Sequence, residues 1–434
     1  MTADKTIVSA RPGIWTPLLD AAPASRAIET IRAIAGALRE PPPASGDTDE
    51  DRAISDASLA GGRAGFAILY SYLARAGLTD DVAVAEEFQD EAIAALADVN
   101  LPPDLYSGFT GIAWAVSHLA DAGASELPDA NDQDEIDEAL LTYLERSPWT
   151  DDYDLVSGLV GLGVYALERL PRRAARDLLA LVVDRLDGIA QTGDAGTTWF
   201  TPPDLLPDWQ RALCPAGHCN LGLAHGVPGV VAVLGGACAA GVRHSKARRL
   251  LDGAVPWLLS QGRTDDGGPI FPSWIVAGQA SRPGRLAWCY GDPGIAAALL
   301  VAARAVGALS WEHEAIEIAR HAAACPDRSG VRDAGICHGA AGLAHIFNRL
   351  YQATGDARLA EAARFWFTRT LDIRQPDRGI AGYAACYPRA NGTIDWKDEP
   401  GLLTGAAGIA LALLAAVSPI EPAWDRMLLL SLAP

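Results

Sequence analysis

Two short segments carry the side chains in this sequence that are best suited to metal chemistry. They are Cys337-His338-Gly339 and Trp288-Cys289-Tyr290-Gly291. Two thiols and one imidazole form the soft ligand set that Zn²⁺ prefers, and three protein ligands leave a fourth tetrahedral position open, as in catalytic zinc sites. Adjacent Cys337 and His338 cannot both face one ion from the interior of a regular helix or strand. We therefore expect them on a loop that enters a helix, with the rest of the chain bringing residues 289 and 337 together.

A short G-x-x-G element recurs seven times and indicates how the chain does this. The first glycines of successive elements are 46 to 68 residues apart: Gly62, Gly108, Gly158, Gly226, Gly291, Gly339 and Gly405. After each element comes an alanine-rich apolar segment of about three helical turns, and then a glycine or proline where a helix is expected to stop. Segments that are apolar on nearly all sides are typical of buried helices.

Longer amphipathic segments alternate with these apolar ones. They lie near residues 25–40, 81–98, 133–146, 173–190, 245–261, 311–325 and 357–373. Seven half-exposed and seven buried helices around a closed circuit predict an all-α fold, an α/α toroid (barrel) of seven outer and seven inner helices, in a single domain over residues 1–434. An open helical solenoid is the structural alternative. In the toroid, the glycine elements converge at one end and the loops of Cys289 and Cys337 meet over the central cavity.

Three stretches interrupt this pattern. Residues 191–220 and 262–285 are predicted to be irregular insertions, the first a long loop over the cavity mouth and the second holding short strands around Ile270-Phe271 and Trp274-Ile275-Val276. Long ordered loops in compact domains are often functional. Residues 41–51 are predicted to form an exposed, mobile connection.

Net charge, apolar runs and cysteine count argue against several classes of function. The net charge of −19, without any local Lys/Arg cluster, argues against nucleic-acid binding and is compatible with a cationic peptide partner. No run reaches the about 18 apolar residues of a membrane span, and the start of the chain lacks the features of a signal peptide, so we expect a cytoplasmic protein. Seven cysteines, an odd count, favour metal binding or packing over disulfides.

Three loops resemble the signature loops of the lanthionine synthetase C-like cyclases. They are Asn220-Leu-Gly-Leu-Ala-His225-Gly-Val-Pro-Gly229, Trp288-Cys289-Tyr290-Gly291-Asp-Pro-Gly294 and Cys337-His338-Gly339-Ala-Ala-Gly342. The resemblance covers essentially the whole chain, because all seven glycine elements are in order. It implies a zinc enzyme with a seven-fold α/α toroid, and one Zn²⁺ per chain held by Cys289, Cys337 and His338.

The resemblance implies roles for His225, Arg285 and Asp154, and the place of Tyr290 beside Cys289 suggests a further one. His225 matches an acid/base histidine, and an imidazole with a pKa of about 6.5 suits that task. Arg285 matches an active-site arginine that could hold a carboxylate or stabilise enolate charge. Asp154 could orient His225 or accept a proton, and Tyr290 could donate a proton or a hydrogen bond. The alternatives are a packing histidine, a surface salt bridge, a helix-start carboxylate and a packing tyrosine.

A second possible metal group and several other histidines compete with this assignment. Cys214, His218 and Cys219 have a spacing that could also suit zinc, but they match no ligand of the family. The remaining histidines are expected to be structural or solvated: His118, His244, His313, His321 and His345.

The reaction that the resemblance implies is the addition of a peptide cysteine thiolate to dehydroalanine or dehydrobutyrine, giving a lanthionine or methyllanthionine ring. It further implies a dehydrated precursor peptide as substrate, a dehydratase and an exporter as partners, and a location that could be peripheral at the inner membrane face. One alternative is a zinc thiol-binding or glutathione-adding protein without peptide cyclase activity. Another is an isoprenoid enzyme, suggested by Thr150-Asp-Asp-Tyr-Asp154, but this aspartate spacing is wrong for a magnesium–diphosphate site.

Overall fold

The computed structural model describes residues 15–79, 81–121, 134–263, 268–281, 284–389 and 393–432. Within these ranges the α-helices are α1 (Ala21–Leu38), α2 (Asp49–Ala57), α3 (Arg63–Arg75), α4 (Ala83–Asp98), α5 (Phe109–Asp121), α6 (Asp134–Leu144), α7 (Leu159–Glu168), α8 (Arg173–Ile189), α9 (Asp208–Leu213), α10 (Val227–Ala239), α11 (His244–Ser260), α12 (Asp292–Val306), α13 (Leu309–Ala323), α14 (Ala340–Thr354), α15 (Ala357–Ile373) and α16 (Ala406–Val417). The strands are β1 (Gln191–Gly193), β2 (Gly196–Thr198), β3 (Cys219–Asn220), β4 (Trp274–Ile275), β5 (Ala385–Pro388) and β6 (Ile394–Lys397). None of the described helices combines the length and apolarity that crossing a membrane requires.

The helices form a closed double ring. Seven inner helices contact one another in the order α3, α5, α7, α10, α12, α14 and α16, and α16 returns to contact α3. Each inner helix packs on the outer helix that follows it, and the last one, α16, packs on α1 at the start of the chain. There the N–H of Leu18 donates to the carbonyl of Ala416 over 2.8 Å. The predicted α/α toroid of seven outer and seven inner helices is therefore confirmed, and the open solenoid is excluded.

The hydrophobic pattern explains which helices lie inside. In α10 every residue from Val227 to Cys238 is buried, and in α16 every residue from Ala406 to Ala416. An outer helix buries one face only, as α8 does with residues at helical spacing: Ala175, Leu178, Leu179, Val182, Val183 and Leu186. Helices that are apolar on all sides must lie in an interior, and amphipathic helices cover them.

The outer helices lie close to the predicted segments, but two helices were not predicted. Residue 133 of the segment 133–146 lies outside the described ranges. Helix α2 begins within the segment predicted as an exposed, mobile connection: its residues from Asp49 to Asp51 are exposed as predicted, but they are helical. A capping box starts the helix: the N–H of Asp51 donates to the Thr48 hydroxyl over 3.0 Å, and the Asp51 carboxylate accepts the N–H of Thr48 over 3.1 Å. Helix α9 lies inside the first insertion.

The two insertions are joined to each other. Residues 191–220 contain the β1–β2 hairpin, α9 and β3, so the prediction of a plain loop is too simple. Strand β3 pairs with β4 of the second insertion, with Asn220 opposite Trp274. The strand predicted at Trp274 is confirmed, but Ile270-Phe271 form none, because both N–H groups donate instead to the carboxylate of Asp292 over 2.8 and 3.0 Å.

The segment after α16 fills the middle of the ring. Its short 3₁₀ helix, Ala423–Leu428, is largely buried. The indole N–H of Trp288 donates to the Leu428 carbonyl over 2.9 Å, and the Tyr106 hydroxyl donates to the Met427 carbonyl over 2.7 Å. This terminal segment therefore supports the residue that precedes Cys289.

Candidate metal centre and active site

A ring of backbone hydrogen bonds brings the glycine loops together. The residues that stand two places before the first glycine of each element are Ala60, Tyr106, Val156, Ala224, Cys289, Cys337 and Leu403. In five of the seven links, the N–H of one such residue donates to the carbonyl of its equivalent in the next repeat, over 2.7 to 3.4 Å: Ala224 to Cys289, Cys289 to Cys337, Cys337 to Leu403, Leu403 to Ala60 and Ala60 to Tyr106. Cys289 and Cys337 are thus equivalent residues of neighbouring repeats, held side by side by the backbone.

The residue just before the glycine is also equivalent between repeats. In the fourth, fifth and sixth repeats it is His225, Tyr290 and His338. Polar side chains therefore occupy the position before the glycine in three consecutive loops, and cysteines occupy the position before that in the fifth and sixth loops. The tight turn of the fifth loop needs Gly291, which has φ +111°, and a Cβ there would collide with the carbonyl oxygen of Arg285.

Cys289, Cys337 and His338 form a group suited to a metal ion. Their ligand atoms all lie within 4.8 Å of one another, and no other group of three or more His, Cys, Asp or Glu residues in the described ranges has this spacing. The Nδ1 atom of His338 is buried without a hydrogen-bond partner, while its Nε2 lies 3.9 Å from the Asp333 carboxylate. A buried imidazole nitrogen without a partner, on a histidine grouped with two thiols, fits a zinc ligand whose second nitrogen faces a carboxylate.

Arg285 contacts one of the two thiols, that of Cys289. Its guanidinium donates to the sulfur of Cys289 over 3.2 Å. A hydrogen bond from the Cys337 thiol, together with this positive charge, holds the pKa of Cys289 well below its usual value. The Cys289 thiolate in turn raises the pKa of Cys337. Without a metal, the thiols of Cys289 and Cys337 together favour a single negative charge. A cation beside them would stabilise the second thiolate as well.

His225 and Asp154 form a close hydrogen-bonded pair. The distance from Nδ1 of His225 to Oδ2 of Asp154 is 2.6 Å, and the other Asp154 oxygen accepts the N–H of Ser157 over 2.7 Å. Burial lowers the pKa of His225, but the hydrogen bond and charge of Asp154 outweigh it, so the net pKa is raised above 6.5. The His225 side chain is 37% exposed, so its Nε2 is left for a group in the cavity.

Two residues beside this pair were missed as candidate site residues. Burial and the Asp154 charge raise the pKa of Asp152 to about 7, which makes it a second group that can exchange protons near neutral pH. The sequence feature that could have indicated Asp152 is the acidic run Asp151-Asp152. Asn220 donates from Nδ2 to the hydroxyl oxygen of Tyr290 over 3.1 Å, and the Tyr290 ring stacks on His225 with centroids 5.7 Å apart. No sequence pattern marks this contact.

The competing cysteine–histidine group does not come together as a metal site. Cys214 packs in a small separate core with Leu206 and Val276. His218 uses its Nε2 in a hydrogen bond with Asn220 over 3.1 Å, and burial lowers its pKa to about 4. Two of the remaining histidines pair with buried carboxylates, His118 with Glu168 over 2.7 Å and His345 with Asp425 over 2.8 Å.

Comparison with known proteins adds independent evidence. The profile of the family described as Lanthionine synthetase C-like protein matches residues 53–429. "Nisin biosynthesis protein NisC" of Lactococcus lactis subsp. lactis is 24% identical over 278 residues, which are 58% of this chain and 63% of that protein, less than two thirds of its length. The solved structure of "Nisin cyclase" superposes with a TM-score of 0.71 over 94% of this chain and 97% of that one, at 20% identity, which shows a shared fold. The profile match over most of the chain and the toroid together establish that the chain belongs to the lanthionine synthetase C-like family.

Proposed function

We propose that this chain is a zinc-dependent peptide cyclase that joins a cysteine thiol to dehydroalanine or dehydrobutyrine in the same peptide. The observation that carries the proposal is the juxtaposition of an open three-ligand group, Cys289, Cys337 and His338, with the His225–Asp154 pair. The name of the relative NisC, a nisin biosynthesis protein, supports a role of this kind.

Cys289, Cys337 and His338 would hold one Zn²⁺. Bound zinc supplies a Lewis acid that makes the thiolate the stable form of a substrate thiol at neutral pH. The backbone hydrogen bond between Cys289 and Cys337 sets the spacing of the two sulfurs. Asp333, which accepts the backbone N–H groups of Gly335 and Cys386, lies 3.9 Å from Nε2 of His338, where its charge would favour a zinc-bound imidazole.

His225 is the proposed proton donor. The substrate thiol first loses its proton to solvent. Attack of the resulting thiolate on the β-carbon forms a C–S bond, breaks the C=C π bond and leaves an enolate, which needs one proton at the α-carbon. Asp154 holds Nδ1 of His225 and raises its pKa, so that Nε2 can carry that proton near neutral pH. Arg285 and the Tyr290 hydroxyl are the donors available for the enolate oxygen.

The reaction defines the partners that we propose. A dehydro residue is made by loss of water from serine or threonine, so a dehydratase acts upstream on the same precursor peptide. An exporter and a position at the inner membrane face remain proposals that rest on family resemblance alone. The net charge of −19 favours a cationic peptide.

The test is cyclisation of a synthetic peptide that contains one dehydroalanine and one cysteine. Ring closure leaves the mass unchanged, so free thiol is counted by alkylation with N-ethylmaleimide and mass spectrometry. We expect loss of alkylation with wild-type protein, and a much slower loss with His225→Ala at unchanged zinc content. His313→Ala, an exposed residue, is the control. A thiol that stays alkylatable would contradict the proposal, and addition of free glutathione to the peptide instead would favour the glutathione-adding alternative.

A further inference from the structure

The side chain of Asn220 lies at the centre of a buried hydrogen-bond network beside the candidate site. Only 3% of the residue is exposed. Its Oδ1 accepts the backbone N–H of Gly222 over 2.9 Å. Its Nδ2 lies 3.1 Å from Nε2 of His218 and 3.1 Å from the hydroxyl oxygen of Tyr290. All the hydrogen-bonding groups of the amide are therefore used.

The orientation of this amide is fixed by chemistry. A backbone N–H can only donate, so the atom that faces Gly222 must be the carbonyl oxygen. The two hydrogens on Nδ2 then point to His218 and Tyr290. Nε2 of His218 must accept and is therefore unprotonated, which agrees with a pKa that burial lowers to about 4. A neutral His218 then carries its hydrogen on Nδ1, which is buried without a hydrogen-bond partner in the described part of the chain.

This orientation determines what the Tyr290 hydroxyl can do. Its oxygen receives a hydrogen from the side-chain amide of Asn220. Among the described residues, the Tyr290 hydroxyl donates no hydrogen bond. The ring stacks on His225 and follows Cys289 directly, so the free O–H is left for a group in the reaction cavity.

We propose that Asn220 is a positioning residue that makes Tyr290 a hydrogen-bond donor to the substrate oxygen that becomes negatively charged. This inference rests on the proposed function and adds to it a residue that does not touch the reacting atoms. Removing the Asn220 donors would allow the Tyr290 hydrogen to turn towards the protein, and the substrate oxygen would lose its partner.

Asn220→Asp tests the proposal with almost no change of size. The new carboxylate still accepts the N–H of Gly222, but it would take the Tyr290 hydrogen instead of donating to its oxygen. We expect kcat for ring closure to fall about tenfold with little change in KM, because one hydrogen bond to a developing charge is lost. In a Tyr290→Phe background the same substitution should change kcat less than about twofold. Equal losses in both backgrounds would overturn the proposal.

An activity-independent measurement tests the network itself. In ¹⁵N-histidine NMR of the full chain, assigned with His218→Gln, we expect His218 to remain neutral with its hydrogen on Nδ1 from about pH 8 to pH 6. In Asn220→Asp, the carboxylate should raise its pKa and protonate it in this range. A wild-type His218 that carries its hydrogen on Nε2 would overturn the proposal even if cyclisation proceeds. Wild-type protein without cyclisation but with the expected His218 signals would reject the proposed function and support the network.

Discussion

Replacement of Asp154 by asparagine would isolate the electrostatic support of His225. Asparagine has the same shape and can still accept the N–H of Ser157 through its oxygen. What is lost is the negative charge 2.6 Å from Nδ1 of His225. The substitution therefore leaves the position of the loop unchanged and alters the charge that favours the protonated imidazole.

The magnitude follows from the kind of hydrogen bond that is lost. A hydrogen bond to a charged group contributes about 1.5 to 3 kcal/mol, and 1.36 kcal/mol corresponds to a tenfold change in rate. We expect ring closure to slow by about 10- to 150-fold. Without the Asp154 charge, the lowering effect of burial on the pKa of His225 is no longer offset, so this pKa falls. Because an acid acts below its pKa, the alkaline loss of activity should move to lower pH.

The assay is the rate of thiol loss in the dehydroalanine peptide between about pH 5.5 and 8.5, with zinc content measured on the same samples. Asp151→Asn is the matched control, since Asp151 lies in the same loop but bonds to Tyr143 over 2.8 Å and not to His225. An unchanged rate and pH profile for Asp154→Asn, or an equal effect of both substitutions, would refute the role of Asp154.

Two further predictions concern the frame around the site. Gly291→Ala should weaken zinc retention and lower the free energy of unfolding by more than about 1 kcal/mol. The reason is that the residue has φ +111° and that the added Cβ would collide with the Arg285 carbonyl. Zinc analysis and urea unfolding measure the two effects. Although burial raises the pKa of Asp425, Arg349 and the His345 hydrogen bond lower it to about 2. A lowered carboxyl pKa stabilises the fold above the unfolded value of 3.8, and about 2 kcal/mol should be lost as pH falls from about 4 towards 2. Urea unfolding across this range should show a weaker pH dependence for Asp425→Asn.

Each of these predictions has a control and an opposite result. Gly188→Ala adds a Cβ in α8 with nothing within 4 Å, and should keep or slightly raise stability. If Gly291→Ala behaves like Gly188→Ala, the turn does not need glycine. Asp372→Asn removes an exposed carboxylate that pairs with Arg26, and should leave the acid dependence nearly unchanged. An Asp425→Asn variant with the wild-type pH dependence would show that Asp425 does not stabilise the fold by the linkage described.

The sequence was sufficient to predict the ring and to bring together the three residues of its candidate metal group. Repeated glycine elements give the register of the repeats, and the register alone places Cys289 and Cys337 at equivalent positions of neighbouring loops. Helical spacing of apolar residues separated inner from outer helices. These signals are local or repeated, and so they can be read without coordinates.

The features that the sequence did not reveal depend on contacts between distant parts of the chain. Asn220 bonds to Tyr290, which is 70 residues away, and Trp288 is supported by Leu428, which is 140 residues away. Short strands such as β3 and β4 have too few residues for a pattern to identify their partner. The spacing of Cys214, His218 and Cys219 suggested a metal group. In the structure the Cys214 thiol packs among apolar side chains and the His218 imidazole bonds to Asn220, so the two do not face each other.

The most direct test of the central claim is the metal content of the purified chain by elemental mass spectrometry. We predict close to one zinc per chain for the wild-type protein and for Cys325→Ala, whose thiol lies outside the ligand group, and almost none for Cys337→Ala. No zinc in wild-type protein expressed with ample metal would contradict the account. So would zinc that persists unchanged in Cys337→Ala.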